Sequence, residues 1–211
     1  MAEVSNVVEL QGKAGSVVVF NATKGGWFSS AQRLFTGQPF THTAVFTYPV
    51  CNQTSYMGAD MVVSIQPWGN AVNNPTMDYI VYTPVGFTEE QIQVALAQTY
   101  IKFAANEYGF AQVLWFVYRG LMWSVFKKDV RKQHNFFPNG VICSELGWWY
   151  FYFLGEFQPK IRDFINQWRP DTFHSGDTAY VLHSLKEFFM VDTMRWHGDA
   201  LNIKFTPQGV K

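Results

Sequence analysis

One of the two cysteines in this chain stands at the start of a predicted helix that is apolar on every side. The segment Gly140-Val-Ile-Cys-Ser-Glu-Leu-Gly147 is followed by an unbroken run of aromatic residues and leucine at 148–154. Because a helix that is hydrophobic all round must be enclosed by protein, this segment predicts the centre of the core. Cys143 lies at its N-terminus, where free N–H groups and partial positive charge lower a thiol pKa and can hold an oxyanion. The same turn therefore predicts a candidate nucleophile.

The composition favours one domain with a large core. The chain has 211 residues, which suits a single domain spanning 1–211 with its core at about 14–175. Hydrophobic residues make up 48% and aromatic residues 18% of the sequence, enough to fill a core and to line a cleft. The formal net charge is zero and charged residues are only 15%, which argues against a nucleic-acid partner and against charge-driven binding to anionic membranes.

The sequence predicts no metal, no cofactor and a reducing compartment. Cys51 and Cys143 are too few for a disulfide framework and lack the spacing of a zinc site. A phosphate-binding glycine loop and a dinucleotide fingerprint are both missing. The start of the chain lacks the basic and apolar regions of a signal peptide, so we expect a cytoplasmic protein. The remaining histidines are not at metal-ligand spacing with an acidic partner: His134, His174, His183 and His197.

The first half of the chain has the pattern of an antiparallel sheet. Short β-branched and aromatic runs at 14–21, 41–47, 61–66 and 79–83 predict strands, the last two ending at prolines. In the second strand, alternation puts His42, Ala44 and Phe46 on one face. Residues 28–35, which open with serines and end before a glycine, predict a short helix.

The second half has helical patterns. Thr88-Glu-Glu-Gln91 has the form of a capping box, followed by apolar residues at helical spacing up to Phe103. The apolar stretch 113–126 is too short to span a bilayer; it predicts a buried core helix, with an interfacial membrane helix as the alternative. Strands followed by helices predict an α+β fold, an antiparallel sheet packed against helices that include the one bearing Cys143.

A cysteine nucleophile needs a base within hydrogen-bond reach and, in most cases, a third polar group that orients the base. His42 is the base that we select. It begins a predicted strand, where a side chain is held rigidly and can still reach a cleft. From spacing alone, a structural role for both His42 and Cys143 stays open.

Several segments, in order, resemble the circularly permuted branch of the NlpC-type, papain-like cysteine hydrolases, a group that includes YiiX- and YaeF-like proteins and is related to lecithin:retinol acyltransferase. The resemblance covers most of residues 14–175. It consists of a glycine-containing strand, a helix, a Ser/Thr-His strand, a strand ending near a proline, a Thr-Glu-Glu-Gln helix, an aromatic turn before an apolar helix, and a Cys-Ser-Glu-Leu helix. These segments lie at 15–20, 27–37, 40–45, 61–67, 88–91, 108–110 and 143–146.

The resemblance implies roles for particular residues. Cys143 is implied as the nucleophile and His42 as the general base, with the histidine first in the chain because the fold is permuted. N–H groups at the helix start, those of Cys143 and Ser144 among them, are implied as the oxyanion hole. Many relatives carry a glutamate three residues before a proline on the strand after the histidine strand.

This chain has no acid at that third position. Counting back from Pro67 gives Ser64, and Gln66, on the same strand face, has a side-chain carbonyl that can orient an imidazole. Gln66 and Ser64 are both kept as candidates for the third group, with Gln66 first, and the alternative that neither residue has this role stays open. Glu145 belongs to the resembled motif and is expected to be structural rather than catalytic, with helix capping as one option.

The activity implied is acyl transfer to water through a thioester. The first expectation is a hydrolase that cuts amide bonds in peptidoglycan-type peptides; a cytoplasmic protein meets that substrate only after lysis or delivery with a phage particle. The alternatives are a lipid acyltransferase or thioesterase, for which a membrane surface or acylated lipid is the partner, and a catalytically inactive binding module of the same fold. The oligomeric state is not determined by the sequence.

Overall fold

The computed structural model describes residues 13–22, 33, 39–50, 53–59, 63–67, 77–104, 118, 122, 125–128, 133 and 142–196. Most of the helix predicted at 28–35 and most of the apolar stretch 113–126 lie outside these residues, as does Cys51. The elements, in chain order, are β1 (Val17–Ala22), β2 (His42–Val50), β3 (Gln53–Ala59), β4 (Val63–Pro67), β5 (Met77–Pro84), α1 (Glu89–Phe103), α2 (Cys143–Leu154), α3 (Pro159–Ile165), a 3₁₀ turn (Pro170–Thr172), α4 (Ser175–Ser184) and β6 (Phe189–Arg195).

The strands form one antiparallel sheet with the order β4-β3-β2-β1-β5-β6. The predicted α+β class, an antiparallel sheet packed against helices, is confirmed. The four predicted strands correspond to β1, β2, β4 and β5. Two strands were not predicted, because β3 and β6 carry little β-branched pattern of their own. Pairing holds β3 in place: Tyr56 lies opposite Phe46 on one side and Gln66 on the other.

The centre of the sheet is buried on both faces. In β1, Val17 and Val19 belong to the cluster on the helix side, whereas Val18 and Phe20 belong to a second cluster on the opposite face. All four side chains are buried. This double burial explains why β1 is a continuous apolar run without the polar alternation of a half-exposed strand.

Helix α2 lies at the centre of the core, as its apolar sequence predicts. It packs against α1, α3, α4 and the middle of the sheet. Leu146, Tyr150, Phe151 and Leu154 have no exposed surface. The hydroxyl of Tyr150 donates a 2.8 Å hydrogen bond to the carbonyl of Gly15, which fixes the turn before β1 to this helix.

Helix α1 begins at the predicted capping box. Gln91 N–H donates to Thr88 Oγ1 at 3.2 Å, and Thr88 N–H donates to Gln91 Oε1 at 3.0 Å. These bonds satisfy backbone donors that the first turn of a helix leaves free. Among the helices described, none is both long and apolar enough to cross a membrane.

Candidate active site

Cys143 is the first residue of α2, and its side chain is almost completely buried. The residue before it, Ile142, has an extended backbone and no side chain that can cap a helix. The N–H groups of the first turn of a helix have no acceptor within the helix itself. The thiol therefore lies beside backbone donors that the side chain at the cap position does not use.

Three neighbours contact the Cys143 thiol: the imidazole of His42, the backbone N–H of Thr43 and the hydroxyl of Ser175. Burial raises the pKa of the Cys143 thiol, because a thiolate loses hydration in the interior. The charge and the hydrogen bond of His42, with the bonds from Thr43 and Ser175, act in the opposite direction and outweigh burial, so the pKa lies below its ordinary value. The surroundings of Cys143 therefore favour its thiolate more than burial alone would.

The approach of α2 to β2 depends on Gly147. This glycine lies one helical turn after Cys143, on the same side of the helix. A β-carbon at Gly147 would come to 3.2 Å from Thr43 Cγ2, which is tighter than an ordinary contact, so either the threonine side chain or the helix would have to shift. This close contact keeps Cys143 beside His42 and Thr43 at the start of β2.

His42 begins β2 and is half-buried. Its ring packs against Phe20, with ring centroids 5.6 Å apart. Its Nε2 lies 4.0 Å from the position that a β-carbon on Gly58 would occupy, and Cε2 of Tyr56 lies 2.9 Å from the same position. Gly58 therefore leaves room for both rings beside β3.

Ser64 and Gln66 lie on β4, which is separated from β2 by β3. Ser64 is half-buried and pairs with Gly58, the residue beside the His42 imidazole. The backbone of Gln66 pairs with Tyr56, and its side chain lies outside the described part of the chain. The role of either residue as the third group stays a prediction.

Ser144 connects α2 to the segment that leads into α4. Its buried hydroxyl donates a 2.6 Å hydrogen bond to the carbonyl of Phe173. The hydroxyl is thus engaged, and only the backbone N–H of Ser144 is left for the predicted oxyanion role. That role stays a prediction.

Sequence reasoning missed Ser175 and the backbone of Thr43. Ser175 is the first residue of α4, and its Oγ lies 3.9 Å from Cys143 Sγ. No sequence motif identifies this serine, because it is separated from the cysteine by 32 positions and contacts it only through tertiary packing. The helix cap before it is also unusual, since His174 Nδ1 accepts from Asp177 N–H at 3.1 Å.

Glu145 is the third residue of α2, whose N-cap residue Ile142 makes no side-chain cap hydrogen bond. Burial, followed by the negative charge of Asp171, raises its pKa to about 7, and Trp149 and Lys102 partly offset the effect. Asp171 itself pairs with Arg169 at 3.2 Å. Glu145 thus belongs to a group of charged side chains beside the 3₁₀ turn, and its structural role stays a prediction.

Within the described ranges, no group of three or more histidine, cysteine, aspartate or glutamate side chains is arranged to hold a metal ion. No family model and no curated protein matches the sequence. Among solved structures, the crystal structure of the metalloprotein yiiX from Escherichia coli O157:H7 is similar with a TM-score of 0.42 and 21% identity, over 59% of this chain and 72% of that chain. A similarity this low assigns neither a family nor an activity.

Proposed function

We propose that this chain is a cysteine hydrolase of the circularly permuted papain-like type, with residues 1–211 forming one domain, Cys143 as the nucleophile and His42 as the general base. One observation carries the proposal: a buried thiol at a helix N-terminus contacts an imidazole, a backbone N–H and a hydroxyl, and its pKa is lowered. Structural cysteines in apolar surroundings have raised pKa values instead. A stabilised thiolate beside an imidazole is the arrangement that acyl transfer requires.

The reaction proceeds through a thioester. His42 holds the thiol proton while the Cys143 thiolate attacks the substrate carbonyl carbon, and the backbone N–H groups of Cys143 and Ser144 stabilise the oxyanion. The intermediate collapses, and the leaving amine takes the proton from the imidazolium. Water, deprotonated by His42, then attacks the thioester, which releases the acid and returns the proton to the site.

The substrate class that we propose is a peptide amide of the peptidoglycan type, following the resemblance in sequence. Such a substrate would be met after lysis or after delivery with a phage particle. The third group beside His42 is Gln66 or Ser64, both neutral. A neutral group stabilises an imidazolium less than a carboxylate does, so we expect slower turnover than a carboxylate would support.

A specific observation favours a second function, acyl transfer or thioester hydrolysis on lipid. Val125 and Phe126 are 61% and 64% exposed, and two exposed lysines, Lys127 and Lys128, follow them. Exposed apolar side chains next to lysines suit the surface of an anionic membrane.

Two substrates, one active-site variant and one control variant distinguish these functions. The protein is incubated with peptidoglycan fragments and with acylated phospholipid vesicles, each beside Cys143→Ala and Cys51→Ala. Release of amine from the fragments that Cys143→Ala abolishes and Cys51→Ala retains supports the peptide hydrolase. The same pattern on phospholipid alone supports the lipid enzyme, whereas turnover unaffected by Cys143→Ala rejects both. If neither substrate is turned over and the peptidoglycan fragments still bind, the binding module is favoured.

A further inference from the structure

Ser175 is buried at the junction of α4 with the first turn of α2. Its side chain is 1% exposed, and its Oγ lies 3.9 Å from Cys143 Sγ, within the range of a hydrogen bond to sulfur. A buried hydroxyl needs a partner, and the sulfur is the partner that this contact supplies. The contact is separate from that of His42, which comes from β2.

The position of Ser175 is fixed from three directions. Ser144 Oγ donates to the Phe173 carbonyl at 2.6 Å, which ties α2 to the residues just before α4. His174 and Asp177 cap α4 reciprocally through their side chains and backbone N–H groups. Thr43 Oγ1 donates to Thr178 Oγ1 at 3.4 Å, which ties α4 to β2. The backbone of Ser175 is therefore held in place relative to α2, which carries Cys143, and to β2, which carries His42.

We infer that Ser175 positions the nucleophile, donating its hydroxyl hydrogen to the Cys143 thiolate and holding the sulfur in the orientation from which it attacks. The inference rests on the proposed function and adds a residue to its site. When the thiol proton is on His42, the sulfur has no proton to donate, so Ser175 must be the donor. Ser64 and Gln66 are candidates for orienting the imidazole, whereas Ser175 acts on the sulfur, so the two roles are independent.

This role has a kinetic signature that a structural role lacks. A donor to the thiolate lowers the thiol pKa and also lowers the intrinsic nucleophilicity of the sulfur. Removing the hydroxyl should raise the thiol pKa by about one unit, which is a tenfold change in the ratio of thiol to thiolate. It should also raise the rate per thiolate about threefold. Alkylation should thus become slower at low pH and faster on the high-pH plateau.

The test is the pH dependence of alkylation by iodoacetamide in a Cys51→Ser background, without substrate. Ser175→Ala is compared with the parent and with Ser16→Ala, which removes another buried serine hydroxyl, the one that lies 2.9 Å from Thr83 Oγ1. We expect Ser175→Ala to shift the midpoint of the alkylation profile to higher pH and to raise its plateau, and Ser16→Ala to leave the profile unchanged. An unchanged profile for a folded Ser175→Ala, as judged by thermal unfolding, overturns the inference.

A second pair of variants removes the effect of side-chain volume. The Ser175→Thr and Ser175→Val side chains have nearly the same shape and differ in the hydroxyl. The Cys143 thiol should therefore titrate at a lower pH in Ser175→Thr than in Ser175→Val. Equal profiles overturn the inference. Because no turnover is measured, an absence of hydrolysis with any substrate rejects the proposed function alone. Turnover that depends on Cys143, together with identical Thr and Val profiles, rejects the role of Ser175 alone.

Discussion

Gly147 lies directly against Thr43, so that a β-carbon added to the glycine would come to 3.2 Å from Thr43 Cγ2. The same threonine donates its backbone N–H to the Cys143 thiol. A single helix-to-strand contact, one turn away from the cysteine, thus sets the depth at which the sulfur lies against β2.

This contact predicts a favourable coupling between two substitutions. Gly147→Ala adds a methyl group, and Thr43→Ser removes one from the facing position. The free energy of unfolding of the double variant should therefore be about 1 kcal/mol higher than the two single effects added together predict. Unfolding by denaturant measures all four proteins of the cycle. As a control, Thr43→Ser is combined with Gln93→Ala on the exposed side of α1, where we expect additive effects. Additivity at Gly147 as well would contradict the proposed contact.

The second prediction concerns His42 and the sign of the thiol pKa shift. Burial alone raises the pKa of Cys143, and His42 supplies the largest opposing effect. His42→Ala should therefore raise the pKa of Cys143, because burial still disfavours the thiolate and its largest opposing effect is gone. Thiolate absorbance in a Cys51→Ser background reports the titration, and the parent Cys143 should also be alkylated faster than Cys51 near neutral pH. His183→Ala, at an exposed position of α4, is the matched control.

The third prediction concerns Glu145 and the dependence of stability on pH. The folded protein raises the pKa of this carboxyl from 4.5 to about 7, so between these values it retains a proton that the unfolded chain has released. Stability should therefore fall as pH rises through this window, by about 3 kcal/mol in total. Glu145→Gln has no such penalty, and should be more stable than the parent above pH 7 but not below pH 4.5.

The comparison is made by denaturant unfolding at one pH on each side of the window. Glu90→Gln, which removes one exposed carboxyl of α1, controls for the loss of a negative charge. A difference between Glu145→Gln and the parent that is the same at both pH values would show that Glu145 does not titrate as proposed.

The fourth prediction compares two glycines with positive φ angles. Gly15 has φ +84°, and a β-carbon there would lie 2.5 Å from Ile92 Cγ2 and 2.6 Å from the Tyr150 hydroxyl; Gly86 has φ +78° and open space. Gly86→Ala should cost about 1–2 kcal/mol from backbone strain alone. Gly15→Ala should cost about 2 kcal/mol more, because it also breaks the packing of α2 against the turn. If thermal unfolding shows that Gly15→Ala and Gly86→Ala lose the same stability, the turn at Gly15 moves away from α2 without cost.

The elements that the sequence predicted are those with local physical causes. The start of α1 follows from a capping box that closes within four residues, and α2 follows from an apolar run that only a buried helix satisfies. The strand β1 follows from β-branched residues after a glycine turn. His42 at the start of β2 and Cys143 at the start of α2 were selected from the same local patterns, and the structure brings their side chains together.

Other features exist only because distant segments meet. The strands β3 and β6 are held by ladder bonds to β2, β4 and β5, and their own sequences carry little strand pattern. The helix α4 begins with a histidine cap that sequence rules do not anticipate. Ser175 reaches Cys143 across 32 positions of the chain. The sequence by itself determined a thiol at the start of a buried helix, because a continuous apolar run is a local feature that only a buried helix satisfies. Only the tertiary structure decided which donors surround that thiol, because hydrogen bonds between separate elements depend on how the helices pack on the sheet.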